Sequence, residues 1–448
     1  MNILLILIIV LFLIIIGSVK FKINPVFVLV LAAILTGFLL DFSPDKIIKL
    51  ITKGFGNTLA SIGLIIAFGT CIGVFLDKNG GTQVIASKIL NKIGRKNAPL
   101  AMNIIGFIIS IPVFCDSGFV ILSSLNKALS KKTGFSILFF AVALSTGLYA
   151  THVFVPPTPG PLAAAAILGA DIGLVMLLGL FTAVFVSLVG YLWAKLVGKN
   201  HIDTNLESLK KQIATEFQKP TQAKTNSFLL TLAPLLVPIL LIALKSVANY
   251  PTFPFGNRFL FHFFSFIGHP IIALLIGVFL VFLSSKSISG KTKNNWVISA
   301  LKDSGNIILV TGAGGAFGNI LRASNISELI NPNQSMFLGG LLIAFILAAL
   351  LKTAQGSSTV AIITTAAIMA PLLSGFGLSS PIDKALSVLA IGAGAMTVSH
   401  INDSYFWVVS QFSGLTVKKT LKGHTLATLV QGITGIIIVL MLHYFLSH

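Results

Sequence analysis

Long apolar runs separated by short polar breaks dominate the chain. A bilayer core requires roughly 20 apolar residues per spanning helix, and interrupted helices use fewer. The runs predict five spanning helices and one hairpin in each half of the chain. The first half has predicted helices at 3–19, 25–40, 58–76, 136–166 and 172–196 and a hairpin at 98–130. The second half has predicted helices at 228–247, 262–283, 297–320, 386–414 and 425–446 and a hairpin at 335–373.

Each predicted hairpin carries a charged residue between apolar flanks. Asp116 lies at the junction of two apolar runs, and Lys352 occupies the comparable place in the second half. An ionised group at bilayer depth costs about 2.5–3.5 kcal/mol on insertion scales, so such groups are retained mainly for function. We interpret the two residues as an acid and a base that serve one site. The alternative is that both mark solvated loops between separate helices.

Two further breaks interrupt predicted helices. The proline-rich stretch 155–161 cannot continue a helix, because proline lacks the amide donor and clashes with the preceding turn. His152 precedes it, and the second half has His400 and Asp403, three positions apart and able to share a helical face if that turn is intact. Helix ends at such breaks offer amides to an anion and carbonyls to a cation. The candidates for proton coupling are therefore Asp116, His152, His400 and Asp403, although either histidine could be structural.

Composition and charge narrow the class of protein. Of 448 residues, 55% are hydrophobic and 10% are charged, whereas a soluble domain has about 25% charged residues. The net charge of +19 comes from basic residues that punctuate apolar runs instead of forming a patch, which indicates a positive-inside membrane protein and no nucleic-acid partner. Residues 1–17 are interpreted as a spanning helix, not a signal peptide. Two cysteines offer no disulfide framework or metal site, and no cofactor is predicted.

The polar stretch 200–226 divides the chain. We predict a first transmembrane repeat at 1–197, a cytoplasmic linker at 198–227 and a second repeat at 228–448. Placing the basic loops inside leaves both termini outside and gives each half five crossings, so the second half is inverted relative to the first. The fold class is thus all-α and polytopic, with two inverted repeats, one re-entrant hairpin in each, and broken helices that meet at the midplane.

Several stretches resemble the gluconate permease family of bacterial gluconate:proton symporters, which also includes transporters of other sugar acids and of D-serine. The matching stretches are 114–120, 151–161, 312–317, 356–361 and 399–407. The resemblance extends over nearly the whole chain and implies a multi-pass protein of the bacterial inner membrane. The family looks like a branch of a wider ion-transporter superfamily with elevator-type movement. That would make the helices at 3–19, 25–40, 228–247 and 262–283 the scaffold and the interface of a homo-oligomer.

The breaks and the resemblance together nominate a set of substrate-binding residues. These are Ser117, Gly118, His152, Thr158, Gly314, Lys352, Gly356, Ser357, Ser358, Thr359, His400 and Asn402. For Gly314, tight helix packing through small residues is the alternative. Many relatives in the family have His in place of Thr158, Glu in place of Asp116 and Arg in place of Lys352. These departures agree with transport but leave the particular substrate open, because Lys cannot hold a carboxylate bidentately as Arg does.

The sequence therefore predicts a secondary transporter that imports a small hydroxy-carboxylate, such as gluconate or a related sugar acid, by proton symport. The alternative within transport is coupling to sodium, through carbonyls and hydroxyls near Ser357, Ser358 and Thr359, or a D-serine-type amino acid as substrate. A channel or an intramembrane enzyme is the alternative from another class. A channel needs a continuous polar path, whereas the breaks cluster at one depth, and no nucleophile, base and oxyanion hole are placed for an enzyme.

Overall fold

A computed structural model describes residues 3–198, 228–248, 259–286, 288–324 and 336–446, and the regular structure of these residues is helical. The first half contains α1 (Ile3–Val19), α2 (Pro25–Leu39), α3 (Pro44–Lys78), α4 (Gly81–Ile93), α5 (Ala98–Ile109), α6 (Cys115–Thr133), α7 (Ile137–Phe154), α8 (Pro159–Leu168) and α9 (Ile172–Gly198). The second half contains α10 (Phe228–Ala248), α11 (Phe259–Ile267), α12 (Pro270–Ser284), α13 (Gly290–Arg322), α14 (Met336–Gln355), α15 (Ser358–Met369), α16 (Pro381–Met396), α17 (Ser404–Ser413), α18 (Val417–Thr420) and α19 (Leu426–Leu446). A π-helical turn, Leu421–Thr425, joins α18 to α19.

Local sequence explains where several helices begin and end. Proline is the first residue of α3 and α16, where its missing amide costs nothing. Before α16, Ser380 and Asp383 form a capping box in which each side chain pairs with the other residue's backbone amide. Glycine ends α6 and α17 in the left-handed conformation that it adopts without strain.

The breaks predicted from the sequence are present. The intervals 136–166 and 386–414 each hold two helices, α7 with α8 and α16 with α17, separated by non-helical residues. The single helix predicted at 262–283 is wrong, because α11 and α12 are separate and meet at 64°. The first turns of α3 and α13 are polar and extend those helices beyond their predicted apolar spans, and α4 was not predicted because it carries few apolar residues.

The two longest helices, α3 and α13, pack against each other along their length. Their contact is made of small residues: a Cβ at Gly54 would meet the Gly315 carbonyl, and one at Gly312 would meet Phe55. A Cβ at Gly314 would meet Ile363 of α15. The glycine-rich stretch 312–315 is therefore a continuous helix that allows close helix packing.

The two halves share an order of elements. In each, a long helix (α3 or α13) precedes a hairpin (α5–α6 or α14–α15), a broken helix (α7–α8 or α16–α17) and a final long helix (α9 or α19). Five helical segments among the described residues are long and apolar enough to cross a membrane, or six if α11 and α12 form one bent span. The last helix of the first half, α9, ends at Gly198, and residues 199–227 of the predicted linker lie outside the described residues. The division into two repeats and a linker stays a prediction. The inverted orientation of the halves stays a prediction.

Candidate substrate and ion-coupling site

Four short helices begin close to one another in pairs. The N-terminal part of α6 packs with α17, and α8 packs with α15, so each pair joins one helix from each half. A Cβ at Gly160 would contact Ile362 and the Thr359 backbone, which shows how closely α8 and α15 approach. The first amides of a helix have no partner within it and carry partial positive charge. The arrangement is thus suited to an anion.

A buried ion pair lies at this meeting point. Lys352 is in the last turn of α14, and its Nζ lies 2.5 Å from Oδ2 of Asp403; the two side chains are only 1% and 4% exposed. Asp403 is also the N-cap of α17, because its Oδ1 accepts a hydrogen bond of 3.1 Å from the Tyr405 amide. The cation at a helix C-terminus and the anion at a helix N-terminus both complement the helix dipoles.

Two first-half residues extend this cluster and leave polar atoms unpaired. Oδ1 of Asp116 and Nδ1 of His152 are buried without a hydrogen-bond partner among the described residues. Asp116 and His152 each interact electrostatically with both Lys352 and Asp403. The structure therefore brings together the acid and the base that the sequence singled out, with His152 beside them. An unpaired buried polar atom costs about 1–3 kcal/mol, so these two atoms are candidates for contact with a ligand, a proton or an ordered water.

Two tyrosines line the same cluster and were missed in the sequence. The Tyr149 ring centroid lies 6.0 Å from Nζ of Lys352, 5.2 Å from the Tyr405 ring and 6.4 Å from the His152 ring, stacked on it. The hydroxyl of Tyr405 donates to the Ser145 carbonyl at 3.0 Å. Both tyrosines lie in apolar helical segments, where the sequence pattern does not distinguish them from core aromatics.

A second set of missed residues lies behind Asp403. The Ser399 hydroxyl donates to Oδ2 of Asp403 and is 3.2 Å from Nε2 of His424. Nδ1 of His424 is 3.1 Å from the Ser145 hydroxyl on α7. His424 follows the lysines at 418–422, whose pattern is typical of a basic loop, so the sequence does not single it out as a buried site residue. The signal available was a lone histidine among small polar residues at 420, 425 and 428.

The break at 397–403 holds the end of α14 in place. Gly356 has φ +70°, and a Cβ there would overlap the Asn402 carbonyl. The Asn402 amide donates to the Thr353 carbonyl at 2.6 Å, and Nε2 of His400 lies 3.2 Å from the same oxygen. The expected sharing of a helical face by His400 and Asp403 is wrong, because residues 400–403 form a turn. His400 and Asn402 bind exposed helix-terminal carbonyls instead of facing the ion pair.

The remaining candidates are spread around the cluster. Ser357 caps α15 by accepting from the Val360 amide, Ser358 is buried just after it, and Thr359 lies beside α8. The Thr158 hydroxyl donates to the Val155 carbonyl at 2.5 Å. A pocket of about 90 Å³ next to α6 is lined by Ser117, together with Phe114, Thr70, Asp77 and Asp303.

Two of the nominated glycines are not brought to the cluster. A Cβ at Gly118 would overlap the side chain of Leu148 on α7, and Gly314 faces Ile363. Each allows two helices to approach closely, and neither faces Lys352 or Asp116. Their binding role stays a prediction without support from this geometry.

Comparison with known proteins identifies the family of the chain. A family profile described as GntP family permease matches residues 1–445. The chain belongs to the GntP permease family. It is 33% identical to a gluconate permease of Pseudomonas aeruginosa, over 94% of this chain and 93% of that protein. It is likewise 33% identical to the D-serine transporter DsdX of Escherichia coli K12, over 95% and 94%, and 31% identical to the high-affinity gluconate transporter of that strain, over 95% of both.

A solved structure shares the fold of this GntP permease. The YdaH transporter of Alcanivorax borkumensis, whose crystal structure was described as having an unusual topology, superimposes with a TM-score of 0.62 at 13% identity. The match covers 94% of this chain and 99% of that one. The predicted family is thus confirmed, and the protein is a transporter and not an enzyme. Together with the long apolar helices, the family confirms the predicted multi-pass protein of the inner membrane.

Proposed function

We propose that this permease imports a small hydroxy-carboxylate, gluconate or a related sugar acid, by proton symport. The observation that carries the proposal is the buried Lys352–Asp403 pair next to the unpaired oxygen of Asp116, where helix N-termini from both halves meet. A positive side chain and helix amides suit a carboxylate. An acid with a free oxygen suits a proton.

The substrate carboxylate would compete with Asp403 for Lys352. A lysine ammonium has three donors, and its charge is matched by one carboxylate in the described structure. A second anion arriving at bilayer depth carries a large desolvation cost, which the lysine and the helix amides offset. Hydroxyl groups on the neighbouring carbons of the substrate would meet the polar side chains that begin α15, Ser357 and Ser358.

Asp116 is the proposed coupling residue. An ionised Asp116 would repel the incoming carboxylate, and a proton on Asp116 removes that repulsion. Because linkage is reciprocal, a proton that strengthens substrate binding is itself bound more strongly when substrate is present. Proton and substrate would therefore cross together. His152 and Asp403 lie in the same cluster and are the next candidates, whereas Nε2 of His400 lies against the Thr353 carbonyl at the end of α14.

Transport also requires the site to move relative to the rest of the protein. The shared order of elements in the halves supports two inverted repeats, with the hairpins and broken helices carrying the site and α1, α2, α10, α11 and α12 forming a scaffold. Elevator-type movement of one part against the other would expose the cluster to each side in turn. The scaffold would also provide the interface of a homo-oligomer.

A second candidate is a D-serine-type substrate or sodium coupling. D-serine presents a carboxylate beside an amino group, and one relative is a D-serine transporter. The hydroxyls of Ser357, Ser358 and Thr359 would supply oxygen ligands for sodium.

Uptake into proteoliposomes tests these proposals. Radiolabelled gluconate, glycerate and D-serine should each be offered under an inward proton gradient, an inward sodium gradient or neither. We expect a hydroxy-carboxylate to accumulate with the proton gradient alone. Accumulation with sodium alone would exclude proton symport, and transport of D-serine without the acids would exclude the proposed substrate class.

A further inference from the structure

The π-helical turn that precedes the last long helix, α19, places a histidine behind the ion pair. The π-helical turn Leu421–Thr425 lies directly against α7, because a Cβ at Gly423 would overlap Leu138 and Val142. The Gly423 carbonyl accepts a hydrogen bond of 3.1 Å from the Trp193 indole, which fixes the turn on α9. The next residue, His424, is fully buried. Single π-helical turns inside α-helices are frequent at functional sites.

One ring nitrogen of His424 is linked to Asp403 through a hydroxyl. Nε2 lies 3.2 Å from the Ser399 oxygen, and Ser399 donates its single hydrogen to Oδ2 of Asp403. Since a hydroxyl has one hydrogen to donate, Ser399 must accept from His424. Nε2 therefore carries a hydrogen, and the donors point from the imidazole towards the carboxylate.

The other ring nitrogen has a partner that suits two charge states. The Ser145 oxygen is 3.1 Å from Nδ1 of His424 and 3.1 Å from the Val142 carbonyl. If Ser145 donates to Nδ1, the imidazole is neutral. If Ser145 turns its hydrogen to Val142, Nδ1 can carry a hydrogen of its own and donate to Ser145. Both states leave both ring nitrogens of His424 hydrogen-bonded, and they differ by one proton on Nδ1 and by the rotation of the Ser145 hydroxyl.

The groups facing His424 favour a role in charge balance. The charged side chains that interact with it are Asp403 and Lys352. From α17, the centroid of the Tyr405 ring lies 5.2 Å from that of the imidazole, in a T-shaped arrangement. The facing residues of α7 and α9 are Ser145 and Trp193, which carry no charge. Asp403, reached through the Ser399 hydroxyl, is therefore the one anion linked to His424 by hydrogen bonds in the described part of the chain.

We propose that His424 takes up a proton when Lys352 turns from Asp403 to the substrate carboxylate. His424 then replaces Lys352 as the positive group that balances the charge of Asp403. This inference rests on the proposed proton symport. The proton comes from the coupling gradient and forms a new N–H bond at Nδ1, while the Ser145 hydroxyl turns to the Val142 carbonyl. His424 acts on Asp403 through Ser399, so it is a positioning residue and not a ligand of the substrate.

Counting protons taken up on substrate binding tests this inference. The purified protein is mixed with gluconate in weakly buffered detergent solution containing a pH-indicator dye. His424→Gln keeps a donor for Ser399 but cannot become charged, so we expect proton uptake per bound gluconate to fall by about one. Ser399→Ala, which breaks the link to Asp403, should produce the same loss. His443→Gln is the matched control, since His443 is a buried histidine on α19 that pairs with Asp383 instead.

The outcomes separate the two proposals. If the wild type takes up no proton on binding gluconate, and its gluconate uptake into proteoliposomes follows the sodium gradient, the proposed proton symport is wrong. If the wild type takes up protons and His424→Gln binds gluconate with an unchanged proton count, the role of His424 alone is overturned.

Spectroscopy covers the case in which His424→Gln does not fold. In wild-type protein labelled with ¹⁵N-histidine, gluconate should convert one imidazole from neutral to charged. That resonance should be the one displaced by Ser145→Ala. No change in any histidine resonance on adding saturating gluconate would overturn the inference.

Discussion

The two halves of the permease build their breaks from the same elements but treat their polar atoms differently. In the second half, Lys352 and Asp403 pair with each other, and Ser399 and the Tyr405 amide complete the shell of Asp403. In the first half, Asp116 and His152 each keep a buried polar atom without a partner in the described structure. The charged and titratable groups of this cluster are therefore paired in the second half and incompletely paired in the first.

The difference suggests a division of labour. A buried ion pair that is fully hydrogen-bonded contributes little net stability but is costly to break, so it holds two elements in one arrangement. Here it joins the end of α14 to the start of α17. Unpaired atoms instead remain able to bind a proton or a ligand reversibly. We infer that the second half holds the charge that attracts substrate, that Asp116 of the first half receives one coupling proton, and that His424 keeps the charge of Asp403 balanced.

Removing Lys352 should have the largest effect. Lys352→Met leaves Asp403 as an uncompensated buried anion, and breaking a buried pair costs about 3–5 kcal/mol. We expect binding of gluconate, measured by isothermal titration calorimetry, to fall more than about 100-fold. Lys352→Arg should keep binding and change which acids are preferred, because its planar donors hold a carboxylate differently.

The control for this prediction is Lys302→Met, which removes an exposed lysine from α13. Its binding should equal that of the wild type. If Lys352→Met folds and binds substrate normally, Lys352 and Asp403 form a permanent structural pair, and the proposed division between the halves is wrong.

Asp116→Asn should separate transport from accumulation. The amide keeps the shape of the side chain but cannot carry the coupling proton. We expect gluconate counterflow to persist while accumulation driven by a proton gradient falls, because the proton on His424 is then the one left to couple to the substrate. Both are measured in the same proteoliposomes. Asp41→Asn is the matched control, since Asp41 is exposed and its φ of +57° suits asparagine. Uphill accumulation by Asp116→Asn equal to that of the wild type would transfer the coupling role of Asp116 to His152 or to the second half.

A smaller effect is expected at His152. His152→Gln places a side-chain amide in the region of the unpaired Nδ1 but removes the imidazole ring that stacks on Tyr149. Loss of one hydrogen bond of about 1 kcal/mol predicts a rise in KM of about five- to tenfold with kcat nearly unchanged. Initial rates of gluconate uptake measure both constants. His269→Gln, at the exposed start of α12, should leave both unchanged; a fall in kcat alone for His152→Gln would contradict a binding role.

Much of the fold followed from the sequence, and physical reasons explain what did not. Apolar runs and prolines located the breaks at 155–161 and near 400, because few residues can be both polar and buried in a membrane. The bend between α11 and α12 was missed because the interruption there is short: only Gly268 and His269 break an otherwise continuous apolar run. Hydropathy alone also missed α4 and the polar first turns of α3 and α13.

The site was predictable where charge marked it and unpredictable where only packing did. Asp116, His152, Lys352 and Asp403 stood out as charged or titratable groups in apolar surroundings, and the structure brings them together. Tyr149 and Tyr405 resemble any buried aromatic in the sequence. The sequence left both Lys352 and His400 open as partners of Asp403. Residues 400–403 turn away from a helical path and direct Asp403 to Lys352 instead of to His400.

The inverted orientation of the halves is the last prediction, and its test should leave transport nearly intact. In a background without Cys71 and Cys115, the exposed residues Lys131 and Ser379 are changed to cysteine one at a time. Lys131 ends the hairpin of the first half, and Ser379 follows that of the second. If the halves are inverted, a membrane-impermeant maleimide should label Lys131→Cys from the cytoplasmic side and Ser379→Cys from the outside. Right-side-out and inside-out vesicles provide the two sides. Labelling of both positions from one side would mean that the hairpins enter the membrane together, and the comparison between the halves would then concern two parallel repeats.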